Sequence, residues 1–463
     1  MNKPTYQLTK HSVGSLREIW AISWPLILSL FSFSLMLFTD RLLLSRYSIT
    51  DLNSAAAAGT ALYMFIVLPL SIAAISEVFV GRYHGEDRHH ELGKPVWQMV
   101  WFSLMLAPLF LLFGFVFPSL LFYDSPNIEK ETTFFFTLIV FAPLFFVNVA
   151  IAGFFIGSGR VMTVTICSVL ANLLNIVLDY AMIYGYGPIP SLGIFGAALA
   201  TGFSETFQVI FLICIFLKKS YRERYGTNKL SFNLKILKES LRIGFPAGLG
   251  ITVELFSHFI FFRIMAYAGQ ENLTIAAMIQ SLIFLVFFLY EGLSKGVTTV
   301  CANLLGGKQV ALVKKVLRSA LSLQTLFFVI VATVYLTFSD QIIDLFLNQQ
   351  DEKILVTPAF ITSIKWGCLW CVLFFLFDGY TRVIAGLLTA AGDTKFLLYA
   401  GTILNIAAYV LPLLLIVFYA GGGADDAWMI IFCYSVTIFL VYYWRYRSER
   451  WMTSSRLLDE RSN

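Results

Sequence analysis

Long apolar stretches alternate with short polar ones along the whole chain. Each apolar stretch is long enough to cross a membrane as a helix, because a bilayer core of ~30 Å takes about 20 apolar residues. The twelve stretches are residues 19–40, 55–81, 96–123, 132–157, 161–184, 193–217, 242–268, 274–303, 317–339, 357–390, 396–420 and 427–444. The pattern predicts an all-α polytopic membrane protein with twelve transmembrane helices.

Composition supports this fold class. The 463 residues are 58% hydrophobic and 16% aromatic, and 13% are charged. Soluble domains average about 25% charged residues. The net charge of +5 does not indicate a nucleic-acid partner, because basic residues of polytopic proteins gather on one side of the bilayer. The lipid bilayer is the expected surrounding.

The basic residues predict an orientation. If both termini are cytoplasmic, 25 of the 33 lysines and arginines fall in inside segments and 4 in outside loops. The four outside residues are Arg41, Arg46, Lys130 and Lys353. This asymmetry follows the positive-inside rule, so we predict an even number of spans and two cytoplasmic termini.

The two halves of the chain repeat each other. An offset of 221 residues aligns Pro25 with Pro246 and Gly85 with Gly306, and an offset of 233 aligns Asn172 with Asn405. Each half holds six spans, an even number, so both halves share one orientation. We therefore predict two six-helix lobes related by a pseudo-two-fold axis along the membrane normal.

The repeat also predicts how the chain divides. An N-terminal lobe would occupy residues 1–217, a cytoplasmic linker residues 218–241, a C-terminal lobe residues 242–446 and a basic cytoplasmic tail residues 447–463. Within the linker, residues 234–241 would form either a short interfacial helix or a solvated loop.

Three polar residues share one face of the fifth predicted span. Asn172, Asn175 and Asp179 lie within about 60° of one another around the helix. Their oxygens suit a hard cation such as Na⁺, and a carboxylate removed from water can also carry a proton at neutral pH. Hydrogen bonding between helices is the structural alternative.

Other spans also hold charged residues, which are costly in a membrane unless they face a cavity or a partner. In the seventh span, Glu254 has His258 one turn later, so the two could relay protons or form a fixed hydrogen bond. In the tenth, Asp378 has Arg382 one turn later, and this pair could be static or could break during a transport cycle.

Three further acids have simpler explanations. Asp40 ends the first apolar run beside Arg41, where an interfacial ion pair is at least as plausible as a buried site. We expect Glu291 to pair with Lys295, four residues away on the same helix. We expect Glu77 to reach the lipid headgroups from the end of its span.

Several motifs, in order and at consistent spacing, give the chain a family resemblance. They are "AAAAGTALYMF" and "GRYHGED" around the second span, "GSGR" to "NLLNIVLDY" in the fifth, "GIFGAALAT" in the sixth, "IGFPAGLG" in the seventh, "AAMIQSL" in the eighth and "LLTAAGDTK" after the tenth. Over nearly all of its length the chain resembles a multidrug and toxic compound extrusion (MATE) transporter of the NorM type.

The resemblance implies two sites. An N-lobe cation or proton site would be formed by Asp40, Asn175, Asp179 and Thr201, and this moves Asp40 from an interfacial position into a site. A second-lobe proton or substrate site would contain the acids Glu254 and Asp378. We place His258, Gln280 and Arg382 with that second site.

The chain departs from the family pattern at two bases. Arg382 stands where a neutral residue is expected, and Lys295 adds another base inside the membrane. Both would make the cavity less negative, which weakens the usual expectation of cationic substrates.

The expected function is secondary active efflux. H⁺ or Na⁺ moving down its gradient would exchange for a small organic solute, amphiphilic or cationic, through alternating access between the lobes. We expect no enzymatic activity and no cofactor, a monomer, and a bacterial-type inner membrane location. The alternative within transport is a lipid-linked precursor flippase, whose cavity would use Arg263, Lys295, Lys365 and Arg382 to bind pyrophosphate.

Overall fold

The computed structural model describes residues 7–347 and 357–455. Within these residues, twelve helical spans are long and apolar enough to cross a membrane. The predicted all-α fold with twelve spans is confirmed. Lys353 and the tail beyond residue 455 lie outside the described residues. The helices are α1 (Leu16–Tyr47), α2 (Ile49–Ala74), α3 (Ser76–Gly85), α4 (Gly93–Leu121), α5 (Ile128–Gly157), α6 (Val161–Tyr184), α7 (Gly193–Phe216), α8 (Lys219–Tyr225), α9 (Leu234–Tyr267), α10 (Gln270–Gly306), α11 (Val310–Leu347), α12 (Pro358–Ala390), α13 (Thr394–Leu404), α14 (Leu411–Ala420) and α15 (Ala424–Arg447).

The first helix is longer than its apolar run predicts. It begins after Ser15, whose hydroxyl accepts a hydrogen bond from the backbone of Glu18 at 3.2 Å. It ends at Tyr47, where the Ser48 side chain accepts from the backbone of Asp51 at 3.2 Å and so also starts α2. Asp40 therefore lies about two turns inside α1 rather than at its end.

Two spans are broken in the middle. The second consists of α2 and α3, joined at Ile75, whose backbone N–H bonds the carbonyl of Ile72 at 3.2 Å, a tighter turn than an α-helix makes. The eleventh contains a π-helix, Asn405–Val410, between α13 and α14, and Pro412 is the second residue of α14. Such interruptions free backbone groups and redirect the helix axis.

The linker binds to the N-lobe before it enters the C-lobe. After α8, the chain runs along α4, where the Trp97 ring N–H donates to the carbonyl of Thr227 at 2.7 Å and the Gln98 amide to that of Ser231 at 2.9 Å. Asn233 then caps α9, which is continuous from Leu234 to Tyr267. Residues 234–241 thus belong to the helix of the seventh span and form neither a solvated loop nor a separate interfacial helix.

The segment before α1 makes the equivalent contact with the C-lobe. The carbonyl of Gly14 accepts a hydrogen bond from the Ser319 hydroxyl of α11 at 2.7 Å. Ser319 and Gln98 are aligned by the 221-residue offset of the repeat. Each lobe therefore holds the leading segment of the other, at the end of the bundle that we call the linker end.

Glycines allow the two lobes to approach closely. A Cβ atom at Gly296 of α10 would lie 2.1 Å from the Ser23 hydroxyl of α1, and one at Gly244 of α9 would lie 2.9 Å from Cα of Ile72 in α2. Small residues at crossing points let helix backbones pack against each other in membranes. The lobe interface thus includes α1 on α10 and its repeat equivalent, α2 on α9.

The closest contact between the lobes lies at the linker end. A Cβ atom at Gly85 would be 2.0 Å from the carbonyl oxygen of Asn303, and one at Gly306 would be 2.1 Å from that of Arg82. Gly85 and Gly306 are equivalent in the repeat. The ends of α3 and α10 therefore cross with backbone on backbone.

The tail after α15 covers this crossing. Trp451 is 1% exposed and packs into the core that the two lobes share. The Arg82 guanidinium of the N-lobe donates to the Ser455 hydroxyl at 2.8 Å and to the carbonyl of Ala390 in the C-lobe at 3.2 Å. The tail thus bridges both lobes in the closed arrangement of this end.

The lobes separate toward the opposite end, which we call the far end. At the linker end a single apolar core includes residues of both lobes. Two smaller cores at the far end each lie within one lobe. They are formed by Phe261, Ile279, Phe360 and Trp428 with their neighbours in the C-lobe, and by Leu44, Ile183 and Ala197 in the N-lobe. The close approaches between the lobes at Gly85, Gly244, Gly296 and Gly306 all lie in the linker half of their spans.

Candidate functional site

Two acids and an amide meet inside the N-lobe. Asn175 and Asp179 of α6 are fully buried, and α1 brings Asp40 against them. With its nitrogen turned toward the carboxyl groups, the Asn175 amide donates to Oδ1 of Asp40 at 3.0 Å and to Oδ2 of Asp179 at 3.1 Å. The amide thus holds the two acids side by side, about two turns from the far end of α1.

The two carboxyl groups also interact directly. The side chains of Asp40 and Asp179 lie in hydrogen-bonding contact, which two carboxyl groups can make only when one of them carries a proton. Oδ1 of Asp179 is buried and has no hydrogen-bond partner among the described residues. The arrangement offers oxygens and a shared negative charge to a proton or to a small hard cation.

The C-lobe holds a second charged cluster. Arg382 of α12 donates to the carboxylate of Glu254 on α9, and its Nε lies 3.6 Å from Oδ1 of Asp378, one turn earlier on its own helix. Tyr290 of α10 adds a hydroxyl close to Asp378. Three helices of one lobe thus bring together two acids, one base and one hydroxyl.

A family model decides what kind of protein carries these clusters. The MatE model matches residues 25–181 and 246–414, which together make up more than half of the chain. The chain belongs to the MatE family. The two matches begin at Pro25 and Pro246, the prolines that the 221-residue offset aligns. MatE proteins are membrane transporters and not enzymes, as the motifs predicted.

Curated MatE relatives are similar over nearly the whole chain. The probable multidrug resistance protein NorM of Pseudomonas putida is 23% identical over 443 residues, which cover 93% of this chain and 94% of the relative. NorM of Pseudomonas syringae pv. tomato is 26% identical over 451 residues, with 93% and 95% covered. The uncharacterized transporter YisQ of Bacillus subtilis is 23% identical, with 94% and 95% covered.

Solved structures of MATE proteins share the fold. An outward-facing multidrug resistance MATE family transporter of the MOP superfamily superposes with a TM-score of 0.86 at 19% identity, covering 98% of this chain and 99% of that one. A MOP superfamily transporter of Pyrococcus furiosus gives 0.85 at 18% identity, with the same coverage. Its binding pocket is described as having reverse polarity, which suggests a different function. At these identities the likeness is one of fold alone.

Asn172 belongs to the framework of this MatE protein. Its amide donates to the Ser32 hydroxyl of α1 at 2.8 Å, and it therefore joins α6 to α1 one turn away from Asn175. In the C-lobe, Asn405 accepts from the Ser257 hydroxyl and joins the eleventh span to α9. The two asparagines aligned by the repeat thus make the same interhelical contact, so hydrogen bonding between helices accounts for Asn172.

Thr201 is not bonded to the acid pair. It lies on α7, half-buried, and its hydroxyl donates to the carbonyl of Ala197 in its own helix at 3.1 Å. Within the described ranges no hydrogen bond links it to Asp40 or Asp179. The structure thus brings together three of the four residues expected at the N-lobe site.

The expected partners of Glu254 differ from those observed. The sequence left open a proton relay or a fixed hydrogen bond between His258 and this acid; in the described part of the chain its Nδ1 has no hydrogen-bond partner, and its ring packs on Tyr409. Gln280 is buried, and its Oε1 is likewise without a partner there. Arg382 instead takes the position next to Glu254, and its guanidinium reaches from α12 to α9 to do so.

Two other expectations are wrong. No ion pair joins Glu291 to Lys295 in the described ranges, although the two are four residues apart on α10. Glu77 does not reach the headgroups, because it is buried and accepts a hydrogen bond from the Thr299 hydroxyl of the opposite lobe at 2.6 Å. Thr299 lies 222 residues away in sequence, so no local pattern could have indicated this partner.

Glu205 and Tyr290 are further polar groups inside the membrane. Glu205 of α7 accepts a hydrogen bond from the Asn148 amide of α5 at 2.6 Å. Tyr290, whose hydroxyl lies close to Asp378, was missed because it stands among apolar residues and carries no charge. The only sequence feature that could have pointed to Tyr290 is its position one residue before the charged Glu291.

Proposed function

We propose that this MatE protein is a secondary antiporter that exports a small organic solute, amphiphilic and often cationic, in exchange for H⁺ or Na⁺. Its residues Asp40, Asn175 and Asp179 would bind the coupling ion, with Thr201 nearby on α7. Glu254 and Asp378 of the C-lobe would contact the substrate.

The observation that carries the proposal is the buried acid pair of the N-lobe. Two carboxyl groups held side by side by one amide need a cation or a proton between them, since a bare pair of charges is strongly disfavoured away from water. Their direct contact favours H⁺ as the coupling ion, because one shared proton satisfies both groups. The unpartnered Oδ1 of Asp179 leaves a site at which a cation could bind instead.

The arrangement of the lobes supports alternating access. The lobes of residues 1–217 and 242–446 would rock about their glycine-lined interface, opening the linker end as the far end closes. The orientation with both termini in the cytoplasm places the linker end inside the cell, so the structure would face outward. The bacterial relatives support a location in the inner membrane.

A flippase for lipid-linked precursors is less well supported. Its cavity would need several bases to face one space. Lys365 pairs with Asp340 at 2.8 Å, Arg263 is exposed, and Arg382 is already bound to Glu254. The reverse-polarity pocket described for the Pyrococcus furiosus transporter is the observation that keeps this second candidate in the test.

Reconstitution in liposomes tests the proposal. A pH gradient and a Na⁺ gradient are imposed separately while the export of a fluorescent cation is followed. Asp179→Asn should abolish coupled export and leave expression intact, whereas Asp340→Asn, a change in an exposed acid of α11, should behave as wild type. Normal gradient-driven export by Asp179→Asn would contradict the N-lobe site. A wild-type protein that responds to neither gradient would favour the flippase.

A further inference from the structure

The acid pair of the C-lobe already has a cation, and that cation is part of the chain. The guanidinium of Arg382 binds the Glu254 carboxylate of α9 and also lies beside Asp378. An arginine keeps its proton at any physiological pH, so its charge is permanent. Being tethered to α12, it cannot leave as a free ion does.

This cluster is not enclosed by the packed core. The side chains of Arg382 and Glu254 are 28% and 33% exposed, and that of Asp378 is 12% exposed. Side chains enclosed in a packed core would be fully covered. A mobile cation could therefore contact the two carboxylates if Arg382 did not occupy them.

The charges of the cluster can be counted. Glu254, Asp378 and Arg382 sum to one negative charge when all are ionised. Glu291 also acts on Arg382 electrostatically, and Lys295, one turn along α10, carries the opposite charge to Glu291. The C-lobe cluster therefore keeps room for a single positive charge.

We propose that Arg382 takes the place of a coupling ion in the C-lobe, so that this lobe binds only the one positive charge of a substrate and all ion coupling is left to the Asp40–Asp179 pair. This inference rests on the proposed antiport. Its consequence is a fixed stoichiometry, in which one coupling ion exchanges for one monovalent organic cation.

The stoichiometry can be measured as a slope. Proteoliposomes hold the full-length transporter with the membrane potential clamped at zero, and ethidium serves as a permanently monovalent probe. For each imposed gradient of the coupling ion, the ethidium gradient at which net flux reverses is determined. If one ion is exchanged, a tenfold ion gradient balances an ethidium gradient of about 10-fold, and if two are exchanged, about 100-fold.

Three variants separate the charge of Arg382 from its structural role. In Arg382→Gln the two carboxylates are released, so a second ion should bind and the balancing gradient should rise from about 10-fold to about 100-fold. Arg382→Lys keeps the positive charge, so its balancing gradient should stay at about 10-fold. The double variant E254Q/R382Q has the same net charge as wild type and should also return to about 10-fold.

Several outcomes would overturn the inference. One is a wild-type slope of two ions per ethidium, which needs no variant and so stands even if Arg382→Gln fails to fold. Another is an active Arg382→Gln protein that still exchanges one ion, as a purely structural Arg382 would predict. A double variant with the stoichiometry of Arg382→Gln would also contradict the charge count. A wild-type protein that shows no dependence on either ion would instead refute the antiport itself.

Discussion

Replacing Gly306 by alanine should open the linker end. A Cβ atom at this position would lie 2.1 Å from the carbonyl oxygen of Arg82 and 2.8 Å from its Cα. Nonbonded carbon and oxygen atoms need more than 3 Å, so the backbones of α3 and α10 would have to move apart by about 1 Å. Neither atom belongs to a flexible side chain, so the strain cannot be relieved locally.

The size of the effect follows from the geometry. Overpacking a close contact costs about 1–3 kcal/mol. The strain acts only where the two helices touch, so it raises the free energy of the state closed at the linker end and not that of a state in which the lobes have separated there. The equilibrium should therefore shift toward the open state by about 5- to 150-fold.

Spin labels at two exposed positions of the linker end can measure the shift. Lys219 lies on α8, beside the N-lobe, and Arg318 lies on α11 of the C-lobe. With cysteines at both positions and the exposed native thiols Cys214 and Cys433 removed, the distance distribution should gain a longer component in Gly306→Ala.

Gly250→Ala is the matched control for this experiment. A Cβ atom there would meet its nearest neighbour, Cα of Leu398, at 3.9 Å, which is ordinary contact. Gly250→Ala should therefore keep the wild-type distribution. The reasoning fails if Gly306→Ala also keeps it, or if both variants shift it equally.

Two further predictions concern the polar stripe and the tail. Asn175→Ala should lower gradient-driven export at least about tenfold, because the two acids lose the donor that holds them together. Asn172→Ala should keep coupled export and lower the free energy of unfolding by only about 0.6–1.7 kcal/mol, measured by thermal unfolding. Equal losses of coupled export in the two variants would refute this division of roles. Trp451→Ala removes a side chain that is 1% exposed and should detach the tail, so limited proteolysis should cut after residue 448 faster than in wild type. The control is Trp444→Ala, in which the replaced ring is 53% exposed and cleavage should stay slow. Equal cleavage of the two variants would contradict the docking of the tail.

Periodic and local features could be predicted from the sequence. The twelve spans follow from hydropathy alone, and the repeat paired Asn172 with Asn405, which make matching contacts in the two lobes. The helical spacing of Asn175 and Asp179 placed both on one stripe, and that stripe does face another acid. In each case the information lies within one helix or in the comparison of two halves.

Contacts between helices could not be predicted in the same way. Asp40 ends an apolar run, but the helix continues because a serine cap farther along sets its terminus. Glu77 has its hydrogen-bond partner, Thr299, in the other lobe. Glu254 is bound by Arg382, 128 residues away, and not by His258, one turn along its own helix. Helix spacing says which residues share a face but not what that face meets.

The exchange of leading segments between the lobes bears on whether this chain can be divided. The stretch before α9 is bound to Trp97 and Gln98 of the other lobe, and the stretch before α1 to Ser319. If the chain were expressed as two polypeptides divided within α8, each would keep the leading segment that the other half binds. The two could then reassemble as a split transporter. A division after Asn233 would leave the second polypeptide without its leading segment and α9 without its N-cap.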